Sequence, residues 1–152
     1  MTAMLSTLGI AFRWLMIAVF GLIVAVYLMR RLRRAWVVRQ FKTAFPGKDV
    51  LFTYSNSPHW QHYIETHWLN RWRDRSVVFN RSLPWRRNDP HVRLWITFTG
   101  VAEHTPSAIV LSPHTKPRVI PFFKAFRDLK HGRIAKLRDA EAKLAVALDA
   151  NR

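Results

Sequence analysis

The sequence predicts an α/β fold, in which an N-terminal transmembrane helix is followed by a small domain with a mixed four- or five-stranded sheet. Three observations lead to this prediction. Residues 14–29 form an uncharged, mostly apolar run of helical length. Two apolar runs of strand length flank a helical pattern between residues 50 and 80. A last helical pattern covers residues 133–150, so strands and helices occur along the same domain.

The apolar run is interpreted as a membrane span. As an α-helix its 16 residues extend roughly 24 Å, and residues 10–12 bring the length close to a hydrocarbon core of about 30 Å. A buried helix of a soluble core is the first alternative, but the 104 residues after Lys48 are too few to enclose it. A cleavable signal peptide is the second, but arginines occupy the place of its small-residue cleavage site.

The charges after this run predict its orientation. Four arginines follow it directly: Arg30, Arg31, Arg33 and Arg34. Because segments rich in Lys and Arg stay in the cytoplasm, we expect a single pass through the inner cell membrane with a cytoplasmic C-terminal domain. The expected organisation is a short non-cytoplasmic N-terminus at 1–9, a transmembrane helix at 10–29, a basic juxtamembrane helix and linker at 30–47, and a cytoplasmic α/β domain at 48–152.

The net charge of +16 favours anionic partners. Anionic lipid is the expected partner of the tethered basic segment, because each Lys or Arg near such a surface gains about 1 kcal/mol. The expected membrane-surface residues are Arg30, Arg31, Arg33, Arg34, Trp36 and Trp85. A membrane-protein or acidic protein partner is a further alternative. Nucleic acid is disfavoured, because no recognised nucleic-acid module accompanies the Trp and Arg residues. The oligomeric state stays open.

The pattern after residue 48 predicts the order of elements in the domain. Residues 50–54 and 76–80 are expected to be buried parallel strands joined by a helix at 58–72. The alternation in residues 91–99 (HVRLWITFT) predicts a third strand, paired in a hairpin with residues 108–112. Residues 118–122 are expected to add a short strand, and residues 133–150 a helix.

This order of elements resembles the thioredoxin-like fold in outline, with Pro90 before the third strand, where that family carries a proline. The position of the family's two cysteines reads Asn56-Ser57-Pro58-His59 in this chain. The chain has no cysteine, so disulfide redox chemistry, thiol catalysis and thiolate metal sites are excluded.

Polar residues follow both predicted parallel strands and suggest an anion site. The residues expected to form it are Ser55, Asn56, Ser57, His59, Arg81 and Arg86. Ligands of open α/β sheets bind beyond the carboxyl ends of parallel strands, and a helix start there offers backbone N–H groups to a phosphate, sulfate or carboxylate. The alternative is that Ser57 only caps the helix, and no glycine-rich phosphate loop supports the ligand.

Other site chemistries have less support. His59, His62, Glu65 and His67 do not share one helix face and lack the H-E-x-x-H spacing, so neither a metal nor another cofactor is expected. Ser57 near His59 lacks a G-x-S-x-G elbow and an orienting acid, so no catalytic residue is assigned and the balance is against an enzyme. The expected function is an accessory or interaction protein at the inner membrane face. The alternative is a small enzyme or binding module for a phosphorylated or other anionic ligand at the Ser55–His59 edge.

Overall fold

The structure, a computed structural model, describes residues 2–100, 105–112 and 115–150. The chain forms two compact units, of which the first ends at Trp36 and the second begins at Val37. Helix α1, Thr2–Ala44, supplies the whole described part of the first unit and the first eight residues of the second. The compact second unit therefore begins before Lys48 and includes residues that the sequence pattern assigns to the basic juxtamembrane helix and linker.

Helix α1 is long and apolar enough to cross a membrane and lies near the N-terminus. Between residues 14 and 29 most of its large apolar side chains are exposed rather than buried, as the indole of Trp14 and the ring of Phe20 illustrate. The helix is not apolar on one side only, since large hydrophobic residues are exposed in consecutive positions such as Leu22 and Ile23. These features agree with a membrane anchor.

The second unit is built on a mixed four-stranded sheet with the order β2-β1-β3-β4. The strands are β1 (Val50–Tyr54), β2 (Ser76–Asn80), β3 (Ser107–Val110) and β4 (Arg118–Pro121). Strands β1 and β2 are parallel, as predicted, with Val50 opposite Ser76. Strand β3 runs antiparallel to both β1 and β4, with Val50 opposite Val110 and Ser107 opposite Pro121. The α/β class and the mixed sheet are therefore confirmed.

A continuous helical segment at residues 61–72, here called the crossover helix, joins β1 to β2. It consists of α2 (Gln61–Tyr63), a π-helical stretch (Ile64–Leu69) and α3 (Asn70–Trp72), and a 3₁₀ turn (Arg73–Arg75) follows. Ile64 and Trp68 are buried, as their spacing of four residues predicts. The helix begins three residues later than predicted, because residues 58–60 form a turn.

The prediction of a third strand at residues 91–99 is wrong, because Pro90–Thr99 is helix α4. Asp89 has extended backbone at the N-cap, and Pro90 occupies the first helical turn, where a missing N–H costs nothing. Gly100, at φ +81°, ends the helix. Strand β3 consequently pairs with β1 and β4 and has no hairpin partner at 91–99. Pro90 therefore precedes a helix, and the proline directly before β3 is Pro106, whose peptide bond with Thr105 is cis.

The two faces of the sheet carry two apolar cores. Alternate residues of β1 point to opposite faces, so Phe52 joins the first core and Leu51 the second. The crossover helix, α5 (Phe123–Lys130) and α6 (Ala135–Asp149) cover the first core. Helix α4 and the end of α1 cover the second, to which α1 contributes Val37 and Phe41. The C-terminal helix and the strand beginning at Arg118 agree with the predictions, whereas α5 was not predicted.

Candidate functional site

The ends of β1 and β2 bring the polar side chains of Asn56, Asn80 and Ser82 together. The amide Nδ2 of Asn80 donates to the Oδ1 of Asn56 at 2.5 Å, and the backbone N–H of Asn56 donates to the hydroxyl of Ser82 at 2.9 Å. The backbone N–H of Ser82 donates in turn to the Oδ1 of Asn80 at 3.0 Å. These bonds tie the turn after β1 to the turn after β2.

The turn before the crossover helix is held by hydrogen bonds between its own residues and the first residue of the helix. The carbonyl of Ser57 accepts from the backbone N–H groups of Trp60 and Gln61 at 3.2 and 3.0 Å. The hydroxyl of Ser57 accepts from the N–H of His59 at 3.4 Å, and the carbonyl of Ser55 accepts from the Trp60 indole at 3.1 Å. These bonds belong to the turn before the crossover helix, whose N-cap residue Trp60 makes no side-chain capping hydrogen bond.

The two arginines of the predicted anion site have different surroundings. The guanidinium of Arg81 lies 4.5 Å from the centroid of the Trp95 ring, in a cation–π geometry. Its backbone N–H donates to the carbonyl of Tyr54 at 2.8 Å and extends the β1–β2 pairing. The side chain of Arg86 is exposed, and its backbone N–H donates to the Oδ2 of Asp89 at 3.3 Å. The anion site at this edge stays a prediction.

Three histidines lie in or just before the crossover helix, at positions 59, 62 and 67. The ring of His67 stacks on Tyr63 with centroids 4.2 Å apart, and its Nδ1 lies 2.8 Å from the hydroxyl of Thr66. His59 and His62 are exposed. Within the described ranges, no group of three His, Asp or Glu side chains could hold a metal ion.

Two carboxylates organise the helices around the first core. Glu141 of α6 accepts at Oε1 from the Tyr63 hydroxyl at 2.9 Å and from the Trp68 indole at 2.7 Å. Glu65 accepts at Oε1 from the Tyr54 hydroxyl at 3.1 Å. Burial, followed by these hydrogen bonds, raises the pKa of Tyr54 and the pKa of Tyr63 to about 12. The alternating charges of α6 gave no sign that Glu141 reaches another helix.

The predicted membrane-surface residues lie in two places. The four arginines at positions 30–34 and Trp36 are exposed on α1. Trp85 lies in the loop after β2, partly exposed, and its ring centroid is 6.0 Å from that of Phe79. Leu83 in the same loop is also exposed, and it was not singled out from the sequence.

No known protein family, curated protein or solved structure matches this chain.

Proposed function

We propose that this protein is a single-pass membrane protein whose cytoplasmic α/β domain serves as an accessory or interaction module at the inner membrane face. The observation that carries the proposal is the apolar part of α1 at residues 14–29, where most of the large side chains are exposed. Such a surface is stable in a hydrocarbon environment and costly in water.

The charge distribution supports the proposed orientation. Residues 1–48 contain eight Lys or Arg and no Asp or Glu, and six of the eight fall between positions 30 and 42. This asymmetry retains the C-terminal side in the cytoplasm. The same arginines favour contact with anionic lipid, because they follow directly on the proposed span.

The order of elements supports a thioredoxin-like outline as part of the proposal. The strands have the order β2-β1-β3-β4, with β1 and β2 parallel and β3 antiparallel to β1. A helix follows β1, another precedes β3, and Pro106 directly precedes β3. The chain lacks cysteine, so the proposed use of this scaffold is binding rather than thiol chemistry.

Topology in cells tests the main proposal. A reporter that is active only in the cytoplasm, fused after Arg152, is expected to be active, and the protein is expected to resist extraction from membranes at alkaline pH. Replacing the four arginines at 30–34 by glutamine is expected to weaken the orientation, because it removes most of the asymmetry. Replacing Lys136 and Lys143, far along the chain, by glutamine is the matched control. Activity only of a reporter that works outside the cytoplasm would overturn the orientation.

The second candidate function is an anion-binding module at the Ser55–His59 edge. The convergence of Asn56, Asn80 and Ser82 beside Arg81 favours it. Phosphate, sulfate or a nucleotide is then expected to shift the amide resonances of residues 55–59. Arg81→Ala is expected to weaken that binding by about 1.5–3 kcal/mol, the range for a hydrogen bond to a charged group. Unchanged resonances would leave the edge as a turn and a helix cap.

A further inference from the structure

We infer that the outer edge of β2 binds an extended, acidic segment of a partner protein as a fifth strand of the sheet. The inference rests on the interaction function proposed above and names the surface that performs it. Within the described ranges, no strand pairs with β2 on the side away from β1. An edge of this kind offers backbone donors and acceptors to an added strand.

The two edges of the sheet differ in how they are protected. Strand β4 contains Arg118 and Pro121 and follows Pro117, and charge and proline are common ways to prevent pairing at an edge. Strand β2 reads Ser-Val-Val-Phe-Asn and contains neither. The edge at β2 is therefore the one suited to an added strand.

The hydrogen bonds to β1 identify the backbone groups that face outwards. The Arg75 carbonyl accepts from the N–H of Asp49 at 3.0 Å, and the N–H of Arg81 donates to the carbonyl of Tyr54 at 2.8 Å. Odd-numbered residues of β2 consequently direct their backbone groups towards β1, because this direction alternates along a strand. The C=O of Ser76 and both backbone groups of Val78 point to the opposite side, where an added strand would pair. The N–H of Ser76 donates to the Arg73 carbonyl and does not take part.

Apolar side chains border this edge on both faces of the sheet. On one face Val78 is 39% exposed and lies opposite Phe52, whose ring centroid is 6.0 Å from that of Trp72. On the other face Phe79 packs against Trp85, which is 39% exposed, and Leu83 is 56% exposed. An added strand directs alternate side chains to the two faces, so one set would lie beside Val78 and the other beside Phe79 and Trp85.

The charges around the edge favour an acidic partner, because the flanking residues 71–75 and 81–89 contain six arginines and two aspartates. Exposed arginines stand before and after β2: Arg71, Arg73, Arg86 and Arg87. The guanidinium of Arg71 also lies 5.1 Å from the centroid of the Trp72 ring. A second copy of the chain would bring these like charges together, which disfavours pairing. A lipid surface could neutralise the arginines but would not provide a row of alternating amide donors and acceptors.

A peptide titration of the full chain in phosphatidylcholine nanodiscs tests the inference. The probe is a seven-residue peptide of alternating Glu and Val with blocked ends, and its counterpart has Lys in place of Glu. The acidic peptide is expected to shift the amide resonances of residues 76–80 and to slow hydrogen exchange at Val78. The lysine peptide is expected to bind at least about tenfold more weakly, because it faces the arginines. Equal effects of both peptides, or none from either, would overturn the inference.

Two variants locate the contact. Val78→Pro removes an outward N–H without removing a bond to β1, and it is expected to weaken acidic-peptide binding by about tenfold or more. The double variant Arg86→Glu/Arg87→Glu changes only exposed side chains. It is expected to weaken peptide binding severalfold and to leave the amide resonances of the other residues unchanged. This variant tests the contact even if Val78→Pro does not fold. Arg118→Glu, on the opposite edge of the sheet, is the matched control and is expected to leave binding unchanged. Binding that withstands the double arginine variant would overturn the inference.

The alternative occupants give different results. Concentration-dependent dimerisation that Val78→Pro abolishes, without peptide binding, would assign the edge to a second copy. Shifts of residues 76–80 caused by phosphatidylserine vesicles, without peptide binding, would assign it to the membrane surface. Either result would overturn the inference. The titration measures peptide binding at residues 76–80 and does not depend on the orientation of the chain in cells. A negative titration would therefore overturn the strand-binding inference alone, whereas the reporter fusions test the membrane proposal separately.

Discussion

Glu141 joins the crossover helix to α6 through a single oxygen. Its Oε1 accepts from the hydroxyl of Tyr63 and from the indole of Trp68, and Trp68 is only 2% exposed. A buried N–H that loses its acceptor cannot turn to water. This one carboxylate therefore satisfies a polar group inside the first core and holds two helices together.

Glu141→Ala is expected to lower the free energy of unfolding by about 1.5–3 kcal/mol, because it removes charged hydrogen bonds and leaves the indole without an acceptor. Lys143→Ala on the same helix is the control. Lys143 forms an exposed ion pair with Asp139 at 2.6 Å, and such pairs contribute only about 0.3–0.5 kcal/mol. Urea unfolding of the full chain in detergent micelles, followed by tryptophan fluorescence, compares the two. Equal losses would contradict the role of Glu141.

Tyr54 and Tyr63 make stability sensitive to high pH. Their pKa values are raised from 10.0 to about 12 by burial and by hydrogen bonds to Glu65 and Glu141. Between about pH 10 and 12 the unfolded chain releases phenolic protons that the folded chain keeps, so the free energy of unfolding falls as the pH rises. Below about pH 10 this contribution is complete.

The pH prediction is checked by unfolding at several pH values together with tyrosinate absorbance. Tyr63→Phe is expected to reduce the slope of stability between about pH 10 and 12, because it removes one of the two raised groups. Glu141→Gln is expected to move the pKa of Tyr63 back towards its ordinary value. A slope unchanged in Tyr63→Phe would show that this phenol does not contribute.

At the scale of elements, the residues of α4 carry two conflicting signals. Their alternation indicates a strand, whereas the residues at both ends of the segment indicate a helix. Val92, Leu94, Ile96 and Phe98 alternate with polar or aromatic residues as in a strand, yet they lie on a helix. In the helix, Val92 and Trp95 are three residues apart and both buried, so the same residues also satisfy helical spacing. Asp89-Pro90 before the segment and Gly100 after it are helix start and stop signals, and these decided the outcome.

Gly100 is required at the end of α4 by its backbone angles. Its φ of +81° and ψ of 158° lie in a region that is essentially restricted to glycine. Gly100→Ala is expected to destabilise the fold by about 1–3 kcal/mol. Gly21→Ala, inside α1 with no atom within 4 Å of an added Cβ, is the matched control and is expected not to destabilise it. Thermal unfolding of both variants checks this, and similar melting temperatures for the two would contradict it.

The parallel unit and the strand-end cluster could be predicted because they depend on local signals. Apolar runs at 50–54 and 76–80 with a helix between them lead to parallel pairing, which places Asn56 near Asn80. The partners of the polar groups could not be predicted, because they come from distant positions. The acceptor for the N–H of Asn56 is Ser82, and Arg81 reaches Trp95 on a segment whose type was mispredicted. Helix α5 could not be predicted either, because its eight residues are too few to show a clear helical periodicity of apolar residues.

At the scale of the whole molecule, the second unit depends on residues at the end of α1. Phe41 is 0% exposed, and Val37 is also buried in the second core. The sequence pattern assigns both to a basic juxtamembrane helix and linker at residues 30–47 and does not predict that they are buried. Their burial against α4 and the sheet depends on tertiary packing, which local charge does not reveal.

Phe41→Ala is expected to destabilise the second unit by about 3–5 kcal/mol, the usual cost of emptying a buried phenylalanine site. Lys42→Ala, at the next and exposed position, is expected to change stability by less than about 0.5 kcal/mol. Urea unfolding of the full chain in micelles measures both. A fragment that begins at Lys48 is expected to be less stable than one that begins at Val37, for the same reason. Equal stability of the two fragments would contradict the contribution of α1.

The position of Phe41 and Val37 in the sequence also determines when the second core can form during translation. These side chains leave the ribosome early, whereas Leu111 of the same core follows about 70 residues later. At roughly 5–20 residues per second, translation takes about 4–14 s to cover that distance. During this interval the two apolar side chains lack their native cover, close in sequence to the proposed membrane span. The nascent chain therefore passes through a stage in which insertion can be complete while the second core is still open, and a ribosome-bound factor or the bilayer surface would have to shield it.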